Sequence, residues 1–438
     1  MLHFSSTCPA GKSERSLMEK VIVAFVLTLF GLALAQTEVR LWHMEQPPHR
    51  VERVQSLIDA FNAANPDIQV VQEVQNWGEV IPKSLSAVQA GQQPDILFTI
   101  PDFTVTMKAT GAVQPVTEFA NSMNETHTFL EAAIEPYTYE DQVWAVPLYG
   151  MVQSVWYRKD MLEAAGIQPP TTWEELLVAA EALTKDGKYG IGLPGSKSLY
   201  TDQVMYNFMI TAGAKNLFND DGSINFNNPN TARAFQYYSD LFKFSPPDSI
   251  NWIWGDAEAA FASGQVAMII QFTTITTFDQ QTTNAPDNLG VVAIPAPAEN
   301  GTRGNIYYSN AAMILTDDAE KKAAAEKFLA FILEPENYGS FLNMEPGLFL
   351  PVTTDGQDAT TFWSDPLTVK YEPQVRTMVD NSNYGALFGF TTGSVFDGIG
   401  PISAQNLLSQ TVQRMLVDGD TAEEAVAWGQ EQMELATE

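Results

Sequence analysis

The alternation of strand and helix patterns over residues 37–100 constrains the fold most. Residues 37–44, TEVRLWHM, alternate as a strand does, and residues 49–65 then place apolar side chains at helical spacing. A second strand is predicted at residues 68–74, a second helix at 77–92 and a third strand at 94–100. Because strands that alternate with helices form parallel sheets covered by helices, the predicted fold class is α/β with doubly wound sheets.

The N-terminus predicts a secretory signal peptide over residues 1–35. An apolar run at 21–35 follows Lys20 and ends in Ala33-Leu34-Ala35, the small-x-small pattern of a cleavage site. At about 15 residues this run is shorter than the roughly 20 that span a membrane. We therefore expect cleavage after Ala35 rather than an anchor, with translation starting at Met18 and residues 1–17 not translated.

Cysteine usage and charge narrow the function further. The one cysteine, Cys8, precedes the expected cut, so the mature chain has no thiol chemistry, which fits the periplasm. Residues 1–35 hold three of the 23 basic and two of the 53 acidic residues, which leaves the mature chain at a net charge of −31. Such a surface argues against nucleic acid and anionic lipid as partners and weakens the case for a highly anionic ligand.

The chain lacks the sequence motifs of common enzymes. No HExxH, Walker loop, GxSxG elbow or dinucleotide glycine fingerprint is present, so we predict neither a cofactor nor a catalytic residue. His43 and His49 lie close together without a third ligand at metal spacing, and residues 217–226 around Asp221 favour a hairpin over a calcium loop. A binding protein is favoured. A secreted carbohydrate-active enzyme remains open, because carboxylate pairs cannot be singled out in so acidic a chain.

Aromatic and amide side chains gather instead near predicted strand ends. In residues 257–272, AEAAFASGQVAMIIQF, a helix capped by Asp256 ends at Gly264, and a buried strand then delivers Gln271 and Phe272 to its end. Ligands of doubly wound sheets bind beyond the carboxyl ends of strands. Since a sugar offers apolar CH faces and many hydroxyls, aromatic rings beside amides and carboxylates predict a carbohydrate cleft.

Seven segments carry a resemblance to a known family. They occur in the family's order and span nearly all of the mature chain, at residues 57–70, 91–98, 143–150, 155–167, 169–176, 257–268 and 323–333. The chain resembles the extracellular solute-binding proteins of bacterial ABC importers, in the carbohydrate-binding class that includes maltose-binding protein.

The resemblance implies a two-lobed periplasmic-binding-protein fold with a hinge of crossing strands. The first lobe would comprise residues 36–147 and 293–316, and the second residues 148–292 and 317–438, with crossings near 147–150, 292–295 and 316–318. The lobes would close around a sugar or polyol, and the closed monomer would deliver it to an ABC permease in the inner membrane. A receptor that serves chemotaxis alone is the other binding alternative.

The resemblance also implies a set of ligand-binding positions along the cleft. They are Glu45, Gln46, Asp102, Phe103, Tyr149, Tyr200, Asp202, Gln271, Phe272, Tyr308, Asn310, Phe349, Tyr384, Phe388 and Asp397. The chain departs from maltose-binding protein at Thr99 and Thr274, where that protein has stacking tryptophans, and at Met151, where it has a glutamate. The departures imply a smaller sugar, a polyol or a glycosylated polyol rather than a long maltodextrin.

Overall fold

The computed structural model describes residue 3, residues 36–283 and residues 285–438. Apart from residue 3, the predicted signal peptide lies outside the described residues, as does Cys8. The strands are β1 Thr37–His43, β2 Ile68–Val74, β3 Ile96–Thr99, β4 Thr138–Tyr139, β5 Gln142–Val143, β6 Val146–Val152, β7 Ser154–Arg158, β8 Met268–Gln271, β9 Leu289–Val292, β10 Asn305–Ile314 and β11 Gly385–Ala386.

Helices cover much of the rest of the described chain. They are α1 Pro48–Ala64, α2 Val80–Gln89, α3 Pro101–Lys108, α4 Thr117–His127, α5 Glu131–Ile134, α6 Lys159–Ala165, α7 Trp173–Leu183, α8 Leu199–Ala212, α9 Pro229–Phe242, α10 Trp254–Ala262, α11 Ile275–Gln281, α12 Ala285–Asn288, α13 Ala319–Leu333, α14 Pro335–Leu342, α15 Thr354–Gln357, α16 Thr360–Trp363, α17 Pro366–Lys370, α18 Glu372–Ser382, α19 Ile399–Ala404, α20 Leu407–Gln413 and α21 Ala422–Thr437. Short 3₁₀ turns lie at Glu135–Tyr137 and Pro247–Asn251, and a π turn at Arg414–Asp418. Among the residues described, no helix is long and apolar enough to cross a membrane.

The first sheet has the strand order β11-β10-β3-β1-β2, with β6 added beside β10. Strand β1 runs parallel to both β2 and β3, as the alternating pattern predicts. Strand β10 then runs antiparallel to β3 and to β6, so the chain returns to this sheet after a long excursion. The predicted α/β class is confirmed, and the returning strands make the sheet mixed rather than purely parallel.

The second sheet is small and centres on β7. Strands β8 and β9 flank β7, and both pair with it in antiparallel fashion. Only Gln153 separates β6 of the first sheet from β7 of the second, and residues 293–304 separate β9 from β10. The two sheets are therefore joined by short crossing segments, which gives the two-lobed fold.

The helices after β10 divide between the two sheets. Helix α13 packs against β1 and α1, and Phe328 meets Phe61 edge-on at 5.1 Å, so this helix covers the first sheet although the predicted division assigns residues 317–438 to the second lobe. Helix α18 packs against β9 of the second sheet and also against β6 and β10 of the first. Helix α19 packs against both α3 and α21, and thus spans from the first-sheet side to the helices beside α9.

Helix ends follow the sequence in part. Capping boxes form at Thr172 with Glu175 and at Thr421 with Glu424, as the spacing of threonine and glutamate in each pair predicts. The predicted cap at Asp256 is wrong, because α10 begins two residues earlier, at Trp254, and Asp256 lies in its first turn. Its Oδ2 accepts the backbone N–H of Ile253 at 3.0 Å, so the carboxylate still satisfies a free donor of the helix N-terminus.

Candidate ligand-binding site

A cavity of about 490 Å³ opens between the two sheets, a size typical of small-molecule sites. The first-sheet side contributes the segment after β1, the start of α1 and the ends of β2 and β3, while the other side contributes α8, α10 and the end of β8. Its lining residues are Met44, Glu45, Gln46, Pro47, Arg50, Trp77, Ile100, Tyr149, Met151, Leu199, Gln203, Trp254, Gly255, Glu258, Gln271, Phe272, Thr273, Tyr308, Asn310, Leu348 and Phe349.

The crossing strands form the floor of this cavity. Tyr149 pairs with Asn310 across β6 and β10, and Met151 pairs with Tyr308 two residues along, so that all four side chains share one face of the sheet. The register shifts directly after Asn310, an irregularity that ends the regular pairing beside the site. The Nδ2 atom of Asn310 is buried and has no hydrogen-bond partner among the described residues, so it is free to donate to a ligand.

A charged cluster, defined here as Glu45, His49, Arg50, Glu258 and Glu345, lies at one end of the cavity. Nη2 of Arg50 lies 2.9 Å from Oε2 of Glu345, and Nη1 lies 3.3 Å from Oε2 of Glu45. Burial disfavours the charged guanidinium, but Glu345 and Glu45 outweigh this effect and raise the pKa of Arg50. Burial likewise opposes ionisation of Glu345, yet the hydrogen bond from His49 and the charge of Arg50 hold its pKa below the ordinary value.

Glu258 reaches the same cluster from helix α10. Burial, helped by the neighbouring charge of Glu345, raises the pKa of Glu258 to about 7. Thr277 Oγ1 donates to its Oε2 at 2.9 Å, and Gln271 Nε2 donates to its Oε1 at 3.3 Å. The carboxyl group therefore changes its charge near neutral pH while it stays fixed by two neighbours.

Gln271 is held by the protein on both ends of its amide. Its Nε2 donates to the Trp254 carbonyl as well as to Glu258, and its Oε1 accepts the N–H of Phe272 at 2.9 Å. The strand thus delivers Gln271 to the cavity wall as predicted, where it ties β8 to the first turn of α10. Phe272 faces Tyr308 edge-on with ring centroids 6.4 Å apart.

Eight of the predicted site residues line the cavity: Glu45, Gln46, Tyr149, Gln271, Phe272, Tyr308, Asn310 and Phe349. They come from five separate segments of the chain, which the fold brings together as the resemblance implies. Met151, singled out as a departure, also lines it, whereas Thr99 and Thr274 do not.

The other predicted positions lie outside the cavity. Asp102 and Phe103 are buried in the first turn of α3, and Tyr200 turns its hydroxyl to the carbonyl of Ile270 at 2.9 Å. Asp202 accepts the N–H of Ser409 behind the cavity, because α8 presents that side chain to α20.

The aromatic cluster predicted near the C-terminus is likewise dispersed. Phe388 packs on Tyr206, with ring centroids 5.2 Å apart, beside a separate and much smaller void that Asp202 also lines. Tyr384 is exposed at the surface, with the guanidinium of Arg303 3.6 Å above its ring. Asp397 lies near Tyr139. Burial raises the pKa of Tyr139, and the negative charge of Asp397 adds to the effect.

Several lining residues were not anticipated. Trp77 follows the end of β2, a position of the kind that the strand-end argument covers, and could have been found by it. Trp254, Glu258, Gln203 and Arg50 lie on helices, where nothing in the local pattern distinguishes them from ordinary helical residues. His43, considered as a metal ligand, is buried and bonded to Gln72 at 2.7 Å, and the described residues hold no group of three or more metal-ligating side chains.

The family model of the bacterial extracellular solute-binding proteins matches residues 48–339, two thirds of the chain. The chain belongs to the bacterial extracellular solute-binding proteins. A curated relative of this solute-binding protein, YcjN of Escherichia coli, is 26% identical over 86% of this chain and 88% of its own; its assignment to the ABC transporter periplasmic-binding proteins is itself provisional. The sn-glycerol-3-phosphate-binding periplasmic protein of Yersinia pestis is 25% identical over 78% of this chain and 80% of its own.

Solved structures agree on the fold of the solute-binding protein. Maltose-bound MalE3 of Thermotoga maritima superimposes with a TM-score of 0.78 at 17% identity, covering 91% of this chain and 99% of its own. A Thermotoga lettingae solute-binding protein bound to α-D-tagatose gives a TM-score of 0.78 at 23% identity, covering 92% of this chain and 100% of its own. A solute-binding protein of Agrobacterium radiobacter in complex with ribitol gives a TM-score of 0.77 at 20% identity, covering 92% of this chain and 99% of its own.

Proposed function

We propose that this solute-binding protein is the periplasmic substrate-binding component of an ABC transporter, capturing a sugar or polyol between two closing lobes and delivering it to a membrane permease. The observation that carries the proposal is the cavity between the sheets, with aromatic rings and amide groups on both walls. A ligand there contacts both sides at once and so binds the closed form better than the open one, which is what drives closure.

The lining fits a polyhydroxylated ligand. The rings of Trp77 and Trp254 offer apolar faces to CH groups, and Gln46, Gln203 and Asn310 offer amide donors and acceptors to hydroxyls. The volume of about 490 Å³ suits a small sugar or polyol. The similar structures hold maltose, tagatose and ribitol, which supports the same class of ligand here.

The ligand-binding residues that we propose are the eight predicted residues that line the cavity. We add to them residues from the helices and from the segment after β2, namely Arg50, Trp77, Gln203 and Trp254.

The lobes are proposed to divide at Gln153 and within residues 293–304. Helix α13 is assigned to the first lobe because it covers β1. Helix α18 contacts β6 and β10 as well as β9, and we assign it to the second lobe through β9.

The remaining parts of the proposal follow from the family and the sequence. Export through the signal peptide of residues 1–35 would place the mature chain in the periplasm, where the permease of the inner membrane is accessible. We propose that it acts as a monomer, without nucleic acid as a partner and without turnover of its ligand.

One observation favours a glycoside-cleaving enzyme as a second candidate. Glu258, with a pKa of about 7, lies near Glu345, whose pKa is lowered by its ion pair. In glycosidases a carboxyl group with a raised pKa acts as the acid, and a second, ionised carboxylate acts as the nucleophile. Both oxygens of Glu258, however, accept hydrogen bonds from Thr277 and Gln271, and Oε2 of Glu345 is held by Arg50 and His49. Carboxyl groups fixed in this way suit binding better than proton transfer.

A ligand screen tests the proposal. The mature chain, purified from a periplasmic extract, is melted in the presence of ribitol, tagatose, maltose and related sugars and polyols. We expect at least one of them to raise the midpoint in a concentration-dependent way, as a ligand that binds only the folded state must. Chromatography of the incubated ligand should show it unchanged. Released products would establish the enzyme, and a panel without any shift would refute a sugar or polyol ligand.

A further inference from the structure

Each nitrogen of the Arg50 guanidinium donates to one of the protein's own carboxylates. Its Nε and Nη2 donate to Oε2 of Glu345 at 3.1 and 2.9 Å, and Nη1 donates to Oε2 of Glu45 at 3.3 Å. Both carboxylate side chains are 4% exposed and that of Arg50 is 19% exposed. The guanidinium also lies over the ring of Phe349, 5.4 Å from its centroid. An incoming anion therefore finds three of the five N–H donors of Arg50 already bonded, and it meets two buried carboxylates beside the others.

Negative charge exceeds positive charge around the cavity. Arg50 is the one basic residue among the lining residues that the structure describes, while Glu45 and Glu258 both line it and Glu345 stands directly behind Arg50. His49, whose Nε2 donates to Oε2 of Glu345 at 2.9 Å, is half-exposed and adds at most one further positive charge outside the lining.

The helix that opens on the cavity does not supply an anion site either. Helix α10 presents Trp254 and Gly255 to the cavity from its first turn, where backbone N–H groups attract anions. The carboxylate of Asp256 already accepts the N–H of Ile253, and Glu258 follows two residues later. The positive end of the helix is therefore offset by side chains of the same helix.

We propose that this charged cluster makes the cavity select uncharged polyhydroxy ligands and reject their phosphate esters. A phosphate that enters gives up its hydration, meets two or three carboxyl groups and finds the charge of Arg50 already offset by two of them, so its desolvation is not compensated. A hydroxyl at the same place can donate to a carboxylate or accept from Asn310 without this penalty. The inference rests on the proposed sugar or polyol function and deepens it by assigning the charge of the ligand.

Matched pairs of probes test the selection. Glycerol, ribitol and glucose are titrated against the native mature chain beside sn-glycerol 3-phosphate, ribitol 5-phosphate and glucose 6-phosphate, at pH 8 and low salt, by calorimetry. We expect each neutral member that binds to do so about 100-fold more tightly than its ester, or better. Any ester that binds the native chain as tightly as its neutral partner, or binds when that partner does not, overturns the selection.

The outcomes separate this inference from the function on which it rests. If neither these neutral compounds nor the sugars and polyols of the melting screen bind, the sugar or polyol function fails, and an ester that binds then overturns the rejection of phosphate as well. If an ester binds well, the rejection fails while a solute-binding role stands.

Removal of one carboxylate gives a second, independent test. Glu345→Gln should free Arg50 and bring the affinity ratio of ester to neutral ligand up by about tenfold. Glu258→Gln keeps the shape of the side chain and should shift the ratio in the same direction. This variant is used if circular dichroism shows that Glu345→Gln does not fold. Glu336→Gln, exposed on α14, is the matched control and should leave the ratio unchanged. An unchanged ratio in folded Glu345→Gln or Glu258→Gln would contradict the inference.

Discussion

The hydroxyl of Tyr149 donates a 2.7 Å hydrogen bond to Oε1 of Glu45, which joins crossing strand β6 to the segment that follows β1. Both residues are buried and both line the cavity. Oε2 of the same carboxylate faces Arg50, so Tyr149 fixes the orientation of a group that neutralises the arginine. The bond thus couples the floor of the cavity to its charged cluster.

Tyr149→Phe should destabilise the protein measurably. The substitution removes a hydrogen bond to a buried carboxylate and leaves one oxygen of Glu45 without this partner, which costs about 1.5–3 kcal/mol for a charged acceptor. Urea unfolding followed by circular dichroism measures the loss in the free energy of unfolding. Tyr189→Phe, at a half-buried tyrosine outside the cavity, is the control and should change the free energy by much less. Equal effects of the two variants would show that the bond to Glu45 contributes nothing.

Asp202→Asn should flatten the dependence of stability on pH. Burial raises the pKa of Asp202 from 3.8 to about 8, with Asp102 adding to the effect and the hydrogen bonds from Ser409 opposing it. Because the folded pKa lies above the unfolded one, the stability from this group is fully present below about 4 and is lost as pH rises through about 8. The native chain should lose up to about 1.4 kcal/mol per pH unit from this carboxyl within that window.

The measurement compares urea unfolding of the native chain and of Asp202→Asn at several values between pH 5 and 8. Asparagine can still accept the N–H of Ser409 through its carbonyl oxygen and carries no charge, so its stability should fall less with pH. Asp220→Asn, at an exposed position, is the control and should retain the native slope. A slope in Asp202→Asn as steep as the native one would contradict the assignment.

The sequence predicts the elements of the site better than their contacts. The end of β8 was expected to present Gln271 to a ligand, and the strand does end at the cavity. The partners of its amide are the Trp254 carbonyl and Glu258, on a helix that precedes the strand, and only the packing of α10 on β8 reveals them. A strand-end pattern locates such a residue but does not say whether its polar atoms are free.

Long-range pairs explain most of what the sequence did not reveal. Arg50 meets Glu345 across 295 residues, a separation over which no spacing rule applies. The misplaced residues have a similar origin: Asp202 and Gln203 are neighbours on α8, yet only Gln203 faces the cavity, because successive residues of a helix point about 100° apart. Family resemblance assigns a segment to the cleft and leaves the rotation of its helix undetermined.

Gly150→Ala should strain the crossing between the lobes. A Cβ atom at this position would lie 2.5 Å from Oη and 2.8 Å from Cζ of Tyr307, whose ring is buried between the strands. Gly150 also exchanges two backbone hydrogen bonds with Leu350, at 2.8 Å each, so the backbone has little room to retreat. Overpacking of this kind costs about 1–3 kcal/mol in the free energy of unfolding.

A double-mutant cycle isolates the clash at Gly150. Tyr307→Ala removes the ring that the new methyl group meets, so Gly150→Ala should cost clearly less in that background than in the native chain. Additive losses in the double variant would show that the methyl group is accommodated without pressing on Tyr307.

Trp254→Ala should weaken ligand binding more than it weakens the fold. Trp254 lies in the first turn of α10 and lines the cavity, its ring packs near Tyr200 at 5.5 Å, and its Nε1 donates to Oε1 of Gln203 at 3.1 Å. Loss of an aromatic face that a sugar covers costs roughly 2 kcal/mol or more, so the dissociation constant should rise by at least about tenfold. Calorimetry with the sugar or polyol that raises the melting midpoint most gives this constant.

Two further variants separate the ring of Trp254 from its N–H group. Trp254→Phe keeps an apolar face and loses the bond to Gln203, and it should recover most of the affinity if the face is what the ligand contacts. Trp428→Phe, on α21 and outside the cavity, should bind as the native chain does. Tryptophan fluorescence should change on binding in the native chain and in Trp428→Phe, and change less in Trp254→Phe. Native affinity in Trp254→Ala would remove this ring from the proposed site.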